Sequence, residues 1–165
     1  MRTVVLTIST SVAQGRAVDE SGPLLASLAD EAGADVRTLE VIPDDQSLIE
    51  ERLRHYVADG CALIFTTGGT GLTPDDVTPE ATRAVIERDA PGFAEALRAE
   101  SLRHTPMGIL TRGVSGIAGR TLIVNLPGNP KAIDQLFGVL APTLGHVVST
   151  LQRGDAPPGG DDAGH

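Results

Sequence analysis

Thr66-Thr67-Gly68-Gly69-Thr70-Gly71 follows directly on a short apolar run at residues 62–65, and two adjacent acids, Asp75 and Asp76, come within five residues of its last glycine. Glycine lets a backbone turn tightly and approach a ligand, and successive amides in such a turn can face a phosphate. The threonine hydroxyls would add donors. The loop is not a Walker A motif, because no lysine follows the glycines. Nor does it have the G-x-G-x-x-G spacing of a dinucleotide fingerprint. A plain strand-to-helix turn fits the same residues.

Other polar groups fall where further strands end. Asp44 and Asp45 follow the run at residues 35–42, and Ser9, Thr10 and Ser11 close the first apolar run. Asp75 and Asp76 are candidates to bind a divalent cation or an amine, and Asp44 and Asp45 to face the same crevice, while Asp45 suits a helix N-cap nearly as well. Asn125-Leu126-Pro127-Gly128-Asn129-Pro130-Lys131 supplies a second glycine turn before a helix. There Asn129 reads as an N-cap or an anion contact. Lys131 opposes the helix dipole unless an anion sits nearby. Arg112, beside Gly113, has a guanidinium fork able to hold phosphate or carboxylate. His55, His104 and His146 read as surface or structural residues. No Ser-His-Asp set or G-x-S-x-G elbow can be assembled.

The elements that must position these groups alternate. Residues 2–9 and 62–65 read as buried strands, and 35–42 as another. Between them, a helix opens at Ser21-Gly22-Pro23, carries Leu25, Leu28, Ala29 and Ala32 on one face, and stops at Gly33. A second carries Ile49, Leu53, Tyr56 and Val57, with Ser47 and Glu50 spaced for a capping box. Two rounds of strand, helix, strand predict parallel pairing with right-handed crossovers. Thr78-Pro79-Glu80 and Pro91-Gly92 open further helices. Residues 107–112 read as extended, and 120–126 as the second strand of a hairpin. A helix follows with Ile133, Leu136, Phe137 and Leu140 on one face. Pro142 separates it from a last helix bearing Leu144, Val147, Val148 and Leu151. The expectation is one domain over residues 1–152 and a disordered acidic tail over 153–165.

Composition narrows the partners. The chain has 165 residues, a formal net charge of −9 and only 2% aromatic residues. Nucleic acid would meet a repulsive field and find almost no ring on which to stack a base. A local acidic cluster beside a phosphate loop is reconciled by a cation between them. The single Cys61 excludes an intrachain disulfide or a multi-cysteine metal site, and reads as a core residue. No apolar run approaches the roughly 20 residues of a membrane span, and the first strand starts too early for a signal peptide, so the cytoplasm is expected.

Taken together, these motifs resemble the MogA/MoaB family of molybdenum cofactor biosynthesis, the molybdopterin-binding fold. The resemblance runs over about residues 1–150. It rests on Asp19-Glu20-Ser21-Gly22-Pro23, Ile42-Pro43-Asp44-Asp45, the Thr66–Gly71 loop, Asp76-Val77-Thr78-Pro79-Glu80-Ala81, Pro91-Gly92-Phe93 with Glu95, and Leu126-Pro127-Gly128 with Pro130-Lys131. It implies a three-layer α/β/α domain with a mostly parallel sheet, assembled as a homotrimer or hexamer and able to meet other cofactor-biosynthesis proteins. The implied activity is Mg²⁺-dependent adenylyl transfer from ATP to molybdopterin, releasing pyrophosphate. Pterin binding without transfer is the alternative. By the same resemblance Asp44 and Asp76 are the catalytic and Mg²⁺-binding acids. Gly68, Gly69, Thr70 and Gly71 look like the backbone cradle, with Thr67 beside them as a further cofactor-binding candidate. Asp19, Ser21 and Gly22 resemble a loop near nucleotide or pterin, and Arg112, with Lys131 and helix N-termini, is a candidate to make the binding pocket locally positive. Pro127, Gly128, Pro130 and Lys131 resemble the pterin-side loop, with Asn129 a further binding candidate within it. The chain departs from the family pattern at Thr10, where an acid is common, at Asp75, where a basic residue is common, and at Thr111 and Asn129.

Overall fold

The computed structural model describes residues 1–153; apart from Arg153, the tail expected over 153–165 lies outside the described residues. Six strands form one sheet in the order β2-β1-β3-β6-β5-β4. Four run parallel: β1 (Arg2–Ile8), β2 (Asp35–Ile42), β3 (Leu63–Thr67) and β6 (Thr121–Leu126). β5 (Ser115–Ala118) turns back against β6 as the expected hairpin. At the edge, β4 (Arg88–Asp89) pairs antiparallel with β5. Two charged residues carry no periodic signal, so sequence reasoning passed over β4.

Alternation along the central strands builds two apolar layers. Val5, Leu63, Phe65, Leu122, Val124 and Leu126 point to one face. There they meet α2 (Ser21–Glu31), α5 (Pro91–His104), α6 (Pro130–Leu140) and α7 (Leu144–Leu151). Val4, Leu6, Ile8, Ile64 and Ile123 point to the other, covered by α3 (Gln46–Ala58) and α4 (Thr78–Val85). The result is the three-layer arrangement with a mostly parallel sheet. Phe65 and Phe137 meet edge to face at 5.6 Å, one of the few aromatic contacts in a core made of aliphatic chains. Cys61 is buried, its thiol is pushed up by desolvation, and it stays a core residue.

Three local expectations change. Ser47 lies inside α3. The cap is Asp45, whose side chain accepts from the Leu48 amide at 3.1 Å, so no Ser47–Glu50 box forms. Ser9 ends β1 and caps a short helix, α1 (Thr10–Ala13), by accepting from the Val12 amide at 3.3 Å. Residues 107–112 are not extended, because Pro106–Leu110 winds into a 3₁₀ turn capped by Thr105, which accepts from the Met107 amide at 3.2 Å. None of the helices among the described residues is long and apolar enough to cross a membrane.

Candidate functional site

Parallel pairing puts the ends of four strands at one edge of the sheet. Ile8 pairs with Ile42, Thr7 with Thr67, and Thr67 with Leu126. From β1 the chain crosses to β2 on one side, while β3 lies on the other. The gap beyond β1 and β3 is therefore the switch point at which such sheets hold ligands. An open crevice lies there. Its walls include Ser9, Asp19, Ser21, Asp44, Thr67, Gly68, Gly69, Asp76 and Gly128. A second recess continues past the same glycines to Thr70, Gly71, Leu110, Thr111, Pro127 and Asn129.

Gly68 and Gly69 make the meeting of these loops sterically possible. Their φ values are 96° and 67°, in the left-handed region open to glycine. A Cβ on Gly68 would lie 2.3 Å from the Ile8 carbonyl oxygen; one on Gly69 would lie 2.2 Å from Thr78 Oγ1 and 3.2 Å from Asp44 Oδ1. Gly128 approaches from β6, its Cβ position 3.2 Å from the Gly68 Cα.

The loop carbonyls are all tied back. Gly68 O accepts from Thr78 Oγ1 at 3.0 Å and Gly69 O from the Thr78 amide at 3.1 Å. Thr70 O accepts from the Arg112 amide and Gly71 O from Arg112 Nε, both at 2.8 Å. The amides of Gly69, Thr70 and Gly71 find no acceptor among the described residues. A trans peptide points its N–H opposite its C=O, so these donors face away from the tied side of the loop. Such a row of donors is what an anion requires.

The carboxylates flank this row. Asp44 Oδ2 accepts from the amide and the hydroxyl of Thr10, each at 3.0 Å, and the Asp44 amide donates back to Thr10 Oγ1. Asp76 Oδ2 accepts from the Thr73 amide at 3.1 Å and its hydroxyl at 2.8 Å. In both acids Oδ1 takes no hydrogen bond from the described residues. Asp19 is more fully engaged, accepting from Thr7 Oγ1 and the Gly22 amide, both at 2.9 Å.

Several expected roles change with these contacts. Thr66 and Thr67 offer no hydroxyl to a ligand: Thr66 Oγ1 accepts from Asn125 Nδ2 at 2.9 Å, and Thr67 Oγ1 donates to the Pro127 carbonyl at 2.8 Å. Arg112 does not reach out for phosphate either. Besides Gly71, its guanidinium donates to the Asp76 carbonyl at 2.8 Å and pairs closely with the Glu80 carboxylate. That pairing holds the Glu80 carboxyl below its ordinary range. Lys131 is exposed and lines neither recess, and the Asn129 side chain caps α6 by accepting from the Lys131 amide at 3.0 Å. Gly22 packs beneath the crevice, where a Cβ would meet Thr7 and Asp19. Asp75 is exposed and off the crevice walls.

Sequence reasoning missed the buried support. Asn125 Nδ2 also donates to Thr82 Oγ1 at 3.0 Å, while its Oδ1 accepts from the Val114 amide at 3.1 Å. The side chain thus joins β3, β6, α4 and the residue just before β5 directly under the loop. An asparagine in an otherwise apolar strand was the available signal.

No group of three His, Cys, Asp or Glu side chains among the described residues could hold a metal ion unaided. Mg²⁺ commonly takes only one or two carboxylates and completes its shell with substrate phosphates and water. Asp44 and Asp76, each with a free Oδ1 in one crevice, fit that pattern.

Three comparisons bear on this arrangement. The family model described as "Probable molybdopterin binding domain" matches residues 4–146. The molybdopterin adenylyltransferase of Haemophilus influenzae is 41% identical over 147 residues, covering 87% of this chain and 75% of that protein. The molybdenum cofactor synthesis protein cinnamon of Drosophila melanogaster is 41% identical over 149 residues, 89% of this chain; the chain spans only 25% of that longer relative. Among solved structures, the molybdopterin biosynthesis enzyme MoaB of Thermus thermophilus is 40% identical. It matches with a TM-score of 0.86 over 91% of this chain and 95% of that one.

Proposed function

The chain belongs to the MogA/MoaB molybdopterin-binding family of molybdenum cofactor biosynthesis, and from that premise we propose that its crevice holds molybdopterin beside ATP and transfers the adenylyl group between them. One observation carries the proposal: two carboxylates with a free oxygen flank a row of unpaired loop amides that runs from the crevice into the adjoining recess. The terminal phosphate oxygen of molybdopterin attacks the α-phosphorus of ATP, and the bond from that phosphorus to the bridging oxygen of pyrophosphate breaks. Such a reaction asks for alignment and charge stabilisation rather than a covalent enzyme nucleophile. The loop amides hold phosphate oxygens, and Asp44 and Asp76 bind the cation. Mg²⁺ offsets the charge of the phosphates between which the group moves. Trimeric or hexameric assembly, a cytoplasmic site of action and contact with other cofactor-biosynthesis proteins belong to the same proposal.

Binding of molybdopterin without transfer is the second reading. It is favoured by the likeness to solved structures named MoaB, among them that of Thermus thermophilus. One experiment separates the two. Purified protein is mixed with molybdopterin, ATP and Mg²⁺, and adenylyl-molybdopterin and pyrophosphate are measured. Wild type forms both products; Asp44→Asn and Asp76→Asn lose about 100-fold or more of the rate while staying folded. Tight pterin binding with no product would sink the transfer step and leave the binding role.

A further inference from the structure

We infer that Thr78 is a positioning residue that sets the polarity of the glycine loop, turning it from a ring of mixed dipoles into a donor surface. The inference rests on reading the crevice as a polyphosphate site. Thr78 enters no recess: it is fully buried and opens α4 beneath the loop. Two successive carbonyls, those of Gly68 and Gly69, end on it, one on its hydroxyl and one on its amide.

The tie matters because of what glycine permits. Gly68 and Gly69 sit at positive φ with no side chain to oppose rotation of the peptide between them. If that peptide turned over, the Gly68 oxygen would face the crevice and the Gly69 N–H would point inward. An incoming phosphate would then lose a donor and meet a carbonyl oxygen, which repels it. The Thr78 hydroxyl holds the peptide in the orientation an anion needs. Arg112 performs the matching task on the next two carbonyls, so the cradle is bounded at both ends. Asn125 and Thr82 support the arrangement from below, since Thr82 Oγ1 donates to the Thr78 carbonyl at 2.8 Å.

Thr78→Val keeps the shape and the backbone bond to Gly69 and removes only the hydroxyl. Inorganic pyrophosphate, titrated with Mg²⁺ into the full chain by calorimetry, should bind the variant about tenfold more weakly than wild type, in line with a hydrogen-bond donor lost to a charged group. Thr78→Ser, which restores the hydroxyl, should bind within about threefold of wild type. Equal binding by wild type and Thr78→Val would overturn the inference while leaving the polyphosphate reading in place. Failure of wild type to bind pyrophosphate would overturn both. The amide protons of Gly69, Thr70 and Gly71 in the unaltered protein give a check that needs no variant. Pyrophosphate should move their NMR resonances downfield, and resonances that stay put would overturn the inference even if Thr78→Val failed to fold.

Discussion

Asp44 and Asp76 are gripped in the same way: each accepts through Oδ2 from the amide and the hydroxyl of one threonine, Thr10 for the first and Thr73 for the second. The two grips come from different loops, yet both orient a carboxylate beside the glycine turn with Oδ1 left over. This relationship gives Thr10 a task.

Removing a grip should loosen the carboxylate without unfolding the protein. Thr10→Val and Thr73→Val each delete one donor to a charged, partly exposed acceptor, a loss of about 1 kcal/mol. The expected result is a fall of about fivefold to tenfold in Mg²⁺-dependent ATP binding, read by calorimetry. The thermal midpoint should move by no more than roughly 4 °C.

The loop glycine at position 69 and the helical glycine at position 138 should respond to alanine with opposite signs. Gly69→Ala forces a side chain into a positive φ and against Thr78 Oγ1. It should therefore destabilise the fold by about 1 kcal/mol or more and abolish polyphosphate binding. Gly138 lies inside α6, with nothing within 4 Å of its Cβ position. Gly138→Ala should raise stability by roughly 0.5–1 kcal/mol, measured by urea unfolding.

Loss of the Asn125 hub should be costly. Asn125→Leu leaves the buried Val114 amide without its side-chain acceptor and removes the donor to Thr66 and Thr82. A fall in unfolding free energy of about 1–3 kcal/mol is expected. Faster hydrogen exchange should follow at the amides around Thr78, the next link in the network.

The pairing of Arg112 with Glu80 predicts a pH dependence of defined sign. The Glu80 carboxyl lies below its ordinary value of 4.5, chiefly through its hydrogen bond to Arg112. A depressed carboxylate contributes stability above its unfolded pKa, and the contribution fades as pH falls through the lower folded value. Wild type should thus exceed Glu80→Gln in stability near pH 7, and the gap should close below about pH 4. Half-exposure of the pair keeps the effect small. Urea unfolding across pH 3–7 reads it, and a gap that widened on acidification would contradict the pairing.

Much of the site is legible in the sequence because parallel strands bring their exits to one edge. Asp44, the glycine turn and the Pro127-Gly128 turn each come just after a strand, so identifying the strands gathered them; Asp76 lies nine residues beyond β3 and is brought back by the fold of the loop. Local caps were less legible. Asp45 and Ser47 are both competent N-caps, and only the backbone at Asp45, with φ −128°, chose between them.

What the chain's order of residues determined by itself was the alternation that builds the three layers and the chemical inventory of the loops, since both depend on neighbours a few positions apart. Tertiary structure alone decided where each donor points. Arg112 meets residues 36 and 41 positions away, and Asn125 reaches across 43 and 59. Hydrogen bonds are directional and die within a fraction of an ångström, so partners that far apart in the chain are chosen only when the folded backbone brings them into line.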